Sequence, residues 1–338
     1  VALTASPGRR QEPTRTGWAA ASALPCDNPM DDLPVILIRF ALYADLMVLA
    51  GMTAFSFHAL SAKERVSNIL PLKWPAFSLA ALGFMLSGFG MLVLVAQMTG
   101  SSVRTVDLEV LREIASESAI GTAWLVRMAS MAIAVVAALA INRSSAARYV
   151  LLSSVSLAIA TLVWTGHAGA TEGWVGTAHR LSDMLHMLAS AVWIGGIAGF
   201  AWLLFRPVTA QSGAHLAVAH RALDRFSRVG TIAVAVIVAT GIVNCLAVVG
   251  FPHFTRLPLT DYGKLLIVKL LLFAAMLALA ALNRWRLTPA LGVAVHNDNP
   301  ASALAGLRRS LLAEGSAALA ILAVVAWLGT LEPLGMTV

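Results

Sequence analysis

The chain has 338 residues, 59% of them hydrophobic and only 12% charged, with a mean hydropathy of +0.80. Soluble domains carry about twice that share of charge, so a water-soluble enzyme is excluded and the length reads instead as about eight bilayer crossings. The formal net charge of +7 is scattered through short segments between apolar runs, with no basic face or stripe, which excludes a nucleic-acid binder.

Residues 1–29 are rich in Arg, Pro, Ser and Thr and contain no apolar core of the kind a signal peptide needs. Met30, followed by Asp31 and Asp32 and then by the first long apolar run, reads as the natural start. The expected organisation is therefore an N-terminal extension over 1–29 and one membrane domain over 30–338. Cys26 and Cys245 form neither a CxxC motif nor a disulfide framework.

Hydropathy predicts eight spans at 34–60, 75–98, 119–141, 148–166, 180–205, 228–250, 263–283 and 310–331. The runs are continuous and rich in Ala, Leu and Val, without the alternation of a transmembrane strand. The predicted fold is all-α, a polytopic membrane bundle. Lys and Arg concentrate in connections 61–74, 142–148, 206–228 and 284–309, thirteen against four in the alternate connections and the C-terminus. The positive-inside rule makes the first set cytoplasmic and turns both natural termini outward.

In chain order, the first span carries Asp45 and His58, with Met47 and Met52 between them. Methionine at helical spacing usually fills gaps in a core, so His58 reads as an interfacial histidine, with an exit ligand as the alternative. The outer segment 103–117 has Val103, Val106, Val110, Leu111 and Ile114 at helical spacing opposite Asp107, Glu109, Glu113 and Glu117. It predicts a surface helix with a solvated acidic face. Arg127 in the third span lies at about the depth of Asp45, which makes a structural ion pair the expected arrangement. Lys269 is expected to snorkel outward, and Glu314 lies near the inner end of the last span.

The richest stretch is 164–196, which ends the fourth span, crosses the outer side and enters the fifth. His179, Asp183 and His186 fall on one helical face continued by Ser190 and Trp193. His167 closes the preceding span on the same side, and Met184 and Met187 lie beside the stripe. Imidazole with thioether or carboxylate suits copper, and imidazole alone suits zinc as well. Asp183 is either a ligand or the acceptor that fixes the tautomer of a ligating histidine. The alternative for the whole stretch is a set of polar residues facing headgroups and water. Gly195 and Gly196 read as points of close helix approach. His215, His220 and His296 are expected in solvated inner loops; His253, in the short outer loop, and Cys245 on that side are weak candidates for assisting metal entry.

These residues resemble the copper resistance protein D family. The likeness is carried by GHA at 166–168, EG at 172–173, His179, His186, and the W-x-G-G of Trp193, Gly195 and Gly196. It continues through RFS at 225–227, TG at 240–241, Asn244, GFP at 250–252, the run from Tyr262 to Lys269, NR at 283–284 and LEP at 331–333, with Arg39, Phe40 and Gly51 upstream. The resemblance implies a multi-pass protein of the bacterial inner membrane that handles copper beside a small periplasmic carrier of the CopC type, with import as the usual proposal. By motif it singles out His167, His179 and His186; Asp183 and Met187 enter the expected ligand set from their position alone. With no P-loop and no phosphorylatable DKTG, the chain is expected not to be an enzyme and not to run on ATP. The competing readings are a b-type membrane cytochrome, with paired histidines around a haem, and a copper sensor or assembly scaffold without transport.

Overall fold

A computed structural model of the chain describes residues 32–66, 69–170, 173–205, 213–296 and 301–333. The expected extension at 1–29 lies outside the described residues. Twelve α-helices are found among the described ones: α1 (Leu33–His58), α2 (Ala62–Val66), α3 (Lys73–Thr99), α4 (Leu108–Glu117), α5 (Ala119–Ala140), α6 (Ser145–Ala160), α7 (His167–Ala170), α8 (Gly173–Leu204), α9 (Gly213–Val249), α10 (Asp261–Leu282), α11 (Thr288–His296) and α12 (Ala301–Leu328). Eight of the helical segments are long and apolar enough to cross a membrane, and no strand occurs among the described residues. The all-α membrane bundle is thus what the chain forms.

Helix ends follow local chemistry. Ser118 accepts from the Gly121 backbone N–H at 2.9 Å to start α5, Thr260 from that of Gly263 at 3.1 Å to start α10, and Asp107 from that of Glu109 at 2.8 Å to start α4. Gly100 ends α3 in the left-handed region at φ 62°, where a side chain is strained. The amphipathic stretch 103–117 resolves into a short 3₁₀ turn, Val103–Thr105, and the surface helix α4, which packs on α3 and α5.

Three helices run past the predicted spans: α8 begins at Gly173, α9 at Gly213 and α12 at Ala301. Hydropathy marks only the part that lipid must cover, whereas a helix continues into water wherever backbone hydrogen bonding and tertiary contacts support it. Helix α10 runs through a π-helical turn, Asn283–Leu287, into α11.

Packing pairs α3 with α5, α5 with α6, α8 with α9, and α10 with α12, and α8 also meets α12. One core joins these pairs, with Leu46, Leu49, Phe55, Met131, Leu151, Ile159, Leu203, Leu204, Leu291 and Leu307 all less than 2% exposed. Where α1 crosses α8, a Cβ added to Gly51 would stand 2.5 Å from the Gly195 Cα. Nothing larger than hydrogen fits there. Gly196 lies against the Phe226 ring and Gly199 against that of Phe55, so the glycines of α8 serve close packing, as expected.

Candidate functional site

The α8 stripe faces α9 and α10. His186 Nδ1 is 3.0 Å from the Thr240 Oγ1, which lies 2.5 Å from the Val236 carbonyl one turn earlier. The single hydroxyl proton goes to that carbonyl, so Thr240 accepts from Nδ1–H, and the Nε2 lone pair of His186 is left for another group. One turn toward the start of α8, Asp183 accepts from Asn244 Nδ2 at 3.1 Å. Ser182 donates to the Thr240 carbonyl at 3.2 Å, and Ser190 donates to the His186 carbonyl at 2.8 Å. Gly241 lies beside the ring: a Cβ there would touch Cε1 at 3.5 Å, an ordinary contact distance.

His167 opens α7 and reaches across to the end of α12. Its Nε2 donates to the Leu328 carbonyl at 3.1 Å, and its ring meets that of Tyr262 edge-on at 5.9 Å. Because a carbonyl only accepts, Nδ1 is the ring nitrogen that carries the lone pair. Burial lowers the pKa of His167 below the ordinary histidine value, the Leu328 bond opposes this, and Arg39 reinforces it. The neutral, metal-accepting form therefore prevails at neutral pH. His179 is 3% exposed and within electrostatic range of His167.

Met187 packs against the hydrophobic core. Among the described residues, no three His, Cys, Asp or Glu side chains stand close enough to hold one metal ion. The spacing explains this: seven residues return a side chain to the same face two turns on, about 10 Å along the axis. A shared face makes a ladder of single donors rather than a chelate.

Sequence reasoning gave Lys269 an outward path, but it is only partly exposed and lies within electrostatic range of Asp183, His186 and Cys245. The expected Asp45–Arg127 pair does not form. Neither Asp45 oxygen has a hydrogen-bond partner, and Arg127 reaches only Thr161, at 3.5 Å. His58 is wedged between the Phe55 and Phe226 rings, at 5.7 and 5.5 Å, with both ring nitrogens buried and unpartnered.

Further along the stripe, Trp193 meets Phe273 of α10 with ring centroids 6.5 Å apart. Beyond it a cavity of about 430 Å³ opens between α8, α9, α10 and α12; its polar wall holds His220, Asp224, Asn283, Arg284 and Glu314 with the hydroxyls of Ser227, Thr231 and Thr288, and the rest is largely apolar. Glu314, 4% exposed, accepts from Asn283 Nδ2. His220 was expected in a solvated loop; α9 begins early enough to bring it into this wall.

Thr240, Asn244 and Tyr262 were legible only as motif letters, without roles, and Lys269 only as an outward-reaching cation. Their spacing held a usable signal, since Thr240 and Asn244 are four apart and Tyr262 and Lys269 seven apart, each pair on one helical face.

The chain is similar to known proteins along most of its length. Residues 30–177 match the family described as "Copper resistance protein D-like, N-terminal domain", and residues 220–328 match "Copper resistance protein D". The chain is 37% identical over 308 residues to the Copper resistance protein D of Pseudomonas syringae pv. tomato, covering 90% of this chain and 98% of that one. It is 26% identical over 299 residues to the Inner membrane protein YebZ of Escherichia coli K12, covering 88% and 98%. It is also 32% identical over 179 residues to the Copper transport protein CutJ of Bacillus subtilis 168, covering 51% of this chain and 32% of that protein. No solved structure matches. A multi-pass helical membrane protein of this similarity belongs to the copper resistance protein D family.

Proposed function

We propose that the chain accepts copper ions at its periplasmic side and passes them across the bacterial inner membrane toward the cytoplasm, one donor at a time, without an enzymatic cycle. The observation that carries this reading is the meeting of motif residues from separate helices around one stripe. His186 pairs with Thr240, Asp183 with Asn244, and His167 with Tyr262.

The two ring tautomers fixed by Thr240 and Leu328 present one lone pair each, at His186 Nε2 and His167 Nδ1. A cargo ion needs sites that bind and release, and a ladder of single donors holds it less tightly than a closed tetrahedral cage. His167 and His179 receive the ion, Asp183 and His186 carry it inward, and the cavity beyond Trp193 releases it past Glu314, Asp224 and His220. A small periplasmic carrier of the CopC type delivers copper to the outer end, and both natural termini face outward.

The test is the metal content of the detergent-solubilised protein after separate loading with Cu(I) and Cu(II), comparing wild type with the variant in which His167, His179 and His186 are all Ala. Copper on the wild type and none on the triple variant supports the reading. Equal retention refutes the site, and no copper on either refutes the copper function for this chain.

A further inference from the structure

At the α7 end of the bundle a second, smaller cavity of about 60 Å³ lies between α1, α3, α5 and the 3₁₀ turn Thr161–Thr165. Its polar wall consists of Arg39, Tyr43, Ser87, Arg127 and Thr165; the rest is apolar, and no carboxylate lines it. Each of those five side chains carries an N–H or O–H that can donate.

Several of those donors have nothing protein-borne to bind. Arg127 is 5% exposed and its Nε is unpartnered; its one hydrogen bond is the 3.5 Å contact from Nη1 to Thr161 Oγ1. Ser87 is 1% exposed and its Oγ is also unpartnered. Arg39 spends Nη2 on the Thr165 carbonyl at 3.1 Å. Tyr43 lies within electrostatic range of both guanidinium groups and of Asp183, which does not line the cavity. Neither arginine forms an ion pair among the described residues. Asp45, the carboxylate nearest along α1, turns instead toward Gly83, its Oδ2 lying 2.6 Å from where a Cβ would stand there. The acidic side chains of α4 are exposed and do not reach the cavity wall.

A guanidinium does not shed its charge by losing a proton. Arg127, buried inside a membrane protein, forfeits hydration unless a negative charge joins it, and Arg39 on the same cavity wall adds a second positive charge for such an anion. We infer that this cavity binds a small inorganic anion of the chloride class, held between Arg39 and Arg127 with Ser87 and Tyr43 as further donors. Its volume admits a few water-sized bodies, enough for a monatomic anion and too little for an organic one such as gluconate. No residue of the α8 stripe lines this cavity, so the inference is tested separately from the copper reading, although Arg39 is within electrostatic range of His167.

The experiment follows the thermal unfolding midpoint of the purified full chain in detergent as sodium chloride replaces sodium gluconate at constant ionic strength. A ligand that binds only the folded state raises the midpoint saturably. Wild type is expected to rise with chloride and then level off. Arg127→Gln is expected to give a flat response. Ser87→Ala and Tyr43→Phe, which remove one donor without touching the charge, are expected to raise the half-effect concentration several-fold, and they carry the test should Arg127→Gln fail to fold. A wild-type midpoint indifferent to the exchange overturns the inference, as does a chloride response that is unchanged in all three variants.

Discussion

Thr240 illustrates how a residue without metal chemistry of its own sets the chemistry of another. Its hydroxyl is committed to the Val236 carbonyl and therefore accepts from His186 Nδ1. Thr240→Val keeps the shape and removes the acceptor, freeing the ring to take the other tautomer. Such outer partners are typically worth about 10- to 100-fold in metal affinity, and a loss in that range is the expected result of copper titration. His186→Ala is expected to cost much more than His296→Ala in the same titration; equal losses would refute the proposed site. Protonation gives a further check on single residues. Burial pushes the Glu64 carboxyl up, but hydrogen bonds from Arg221 and Ser61 outweigh it and hold the pKa at about 2 against an ordinary value of 4.5. A folded-state value below the unfolded one means stability that is present above pH 4.5 and lost as pH falls toward the folded value. Arg221 is half exposed, so the contribution is small, about 1 kcal/mol or less. Glu64→Gln is expected to lower the unfolding midpoint slightly at neutral pH, to match wild type at the acid end of that window, and so to flatten the fall between them.

Single elements are set by where helices meet. Gly195→Leu drives a branched side chain into the backbone of Gly51, and the expected outcome is loss of folded protein in size-exclusion chromatography. Gly88→Ala meets nothing nearer than the Met128 Cε at 3.9 Å and is expected to behave as wild type. At this scale the sequence is most legible, because apolar runs of the right length have one stable form in lipid, and all eight predicted spans are present. The lengths of α8, α9 and α12 were not legible, since their polar extensions rest on neighbours rather than on lipid. The candidate site was legible in half: periodicity put His179, Asp183 and His186 on one face, but a period gives only direction along one helix. Asn244, Thr240 and Lys269 stand opposite because α9 and α10 pack there, and one helix's pattern holds no record of the register of another. The same limit explains Asp45 and Arg127, which match in depth yet point to different neighbours.

Across the whole molecule, the charge asymmetry between alternate connections predicts the orientation that the proposed function uses. In a background with Cys26 and Cys245 changed to Ser, Ser102→Cys is expected to react with an impermeant maleimide from the periplasmic side. Ser144→Cys is expected to react only after the membrane is opened. Reversal of that pattern would reverse the proposed direction of copper flow. The crossing of α1 over α8 has a mechanical consequence. Two backbones separated by hydrogens alone cannot roll or slide past each other without collision, so these two helices act as the fixed frame of the machine. The α10 span is the least buried of the eight, and through Phe273 it holds the ring that meets Trp193. If copper passes that pair as proposed, the close α1–α8 crossing leaves α10 as the helix expected to give way, and spin labels are expected to show α1–α8 distances constant while α8–α10 distances change with copper.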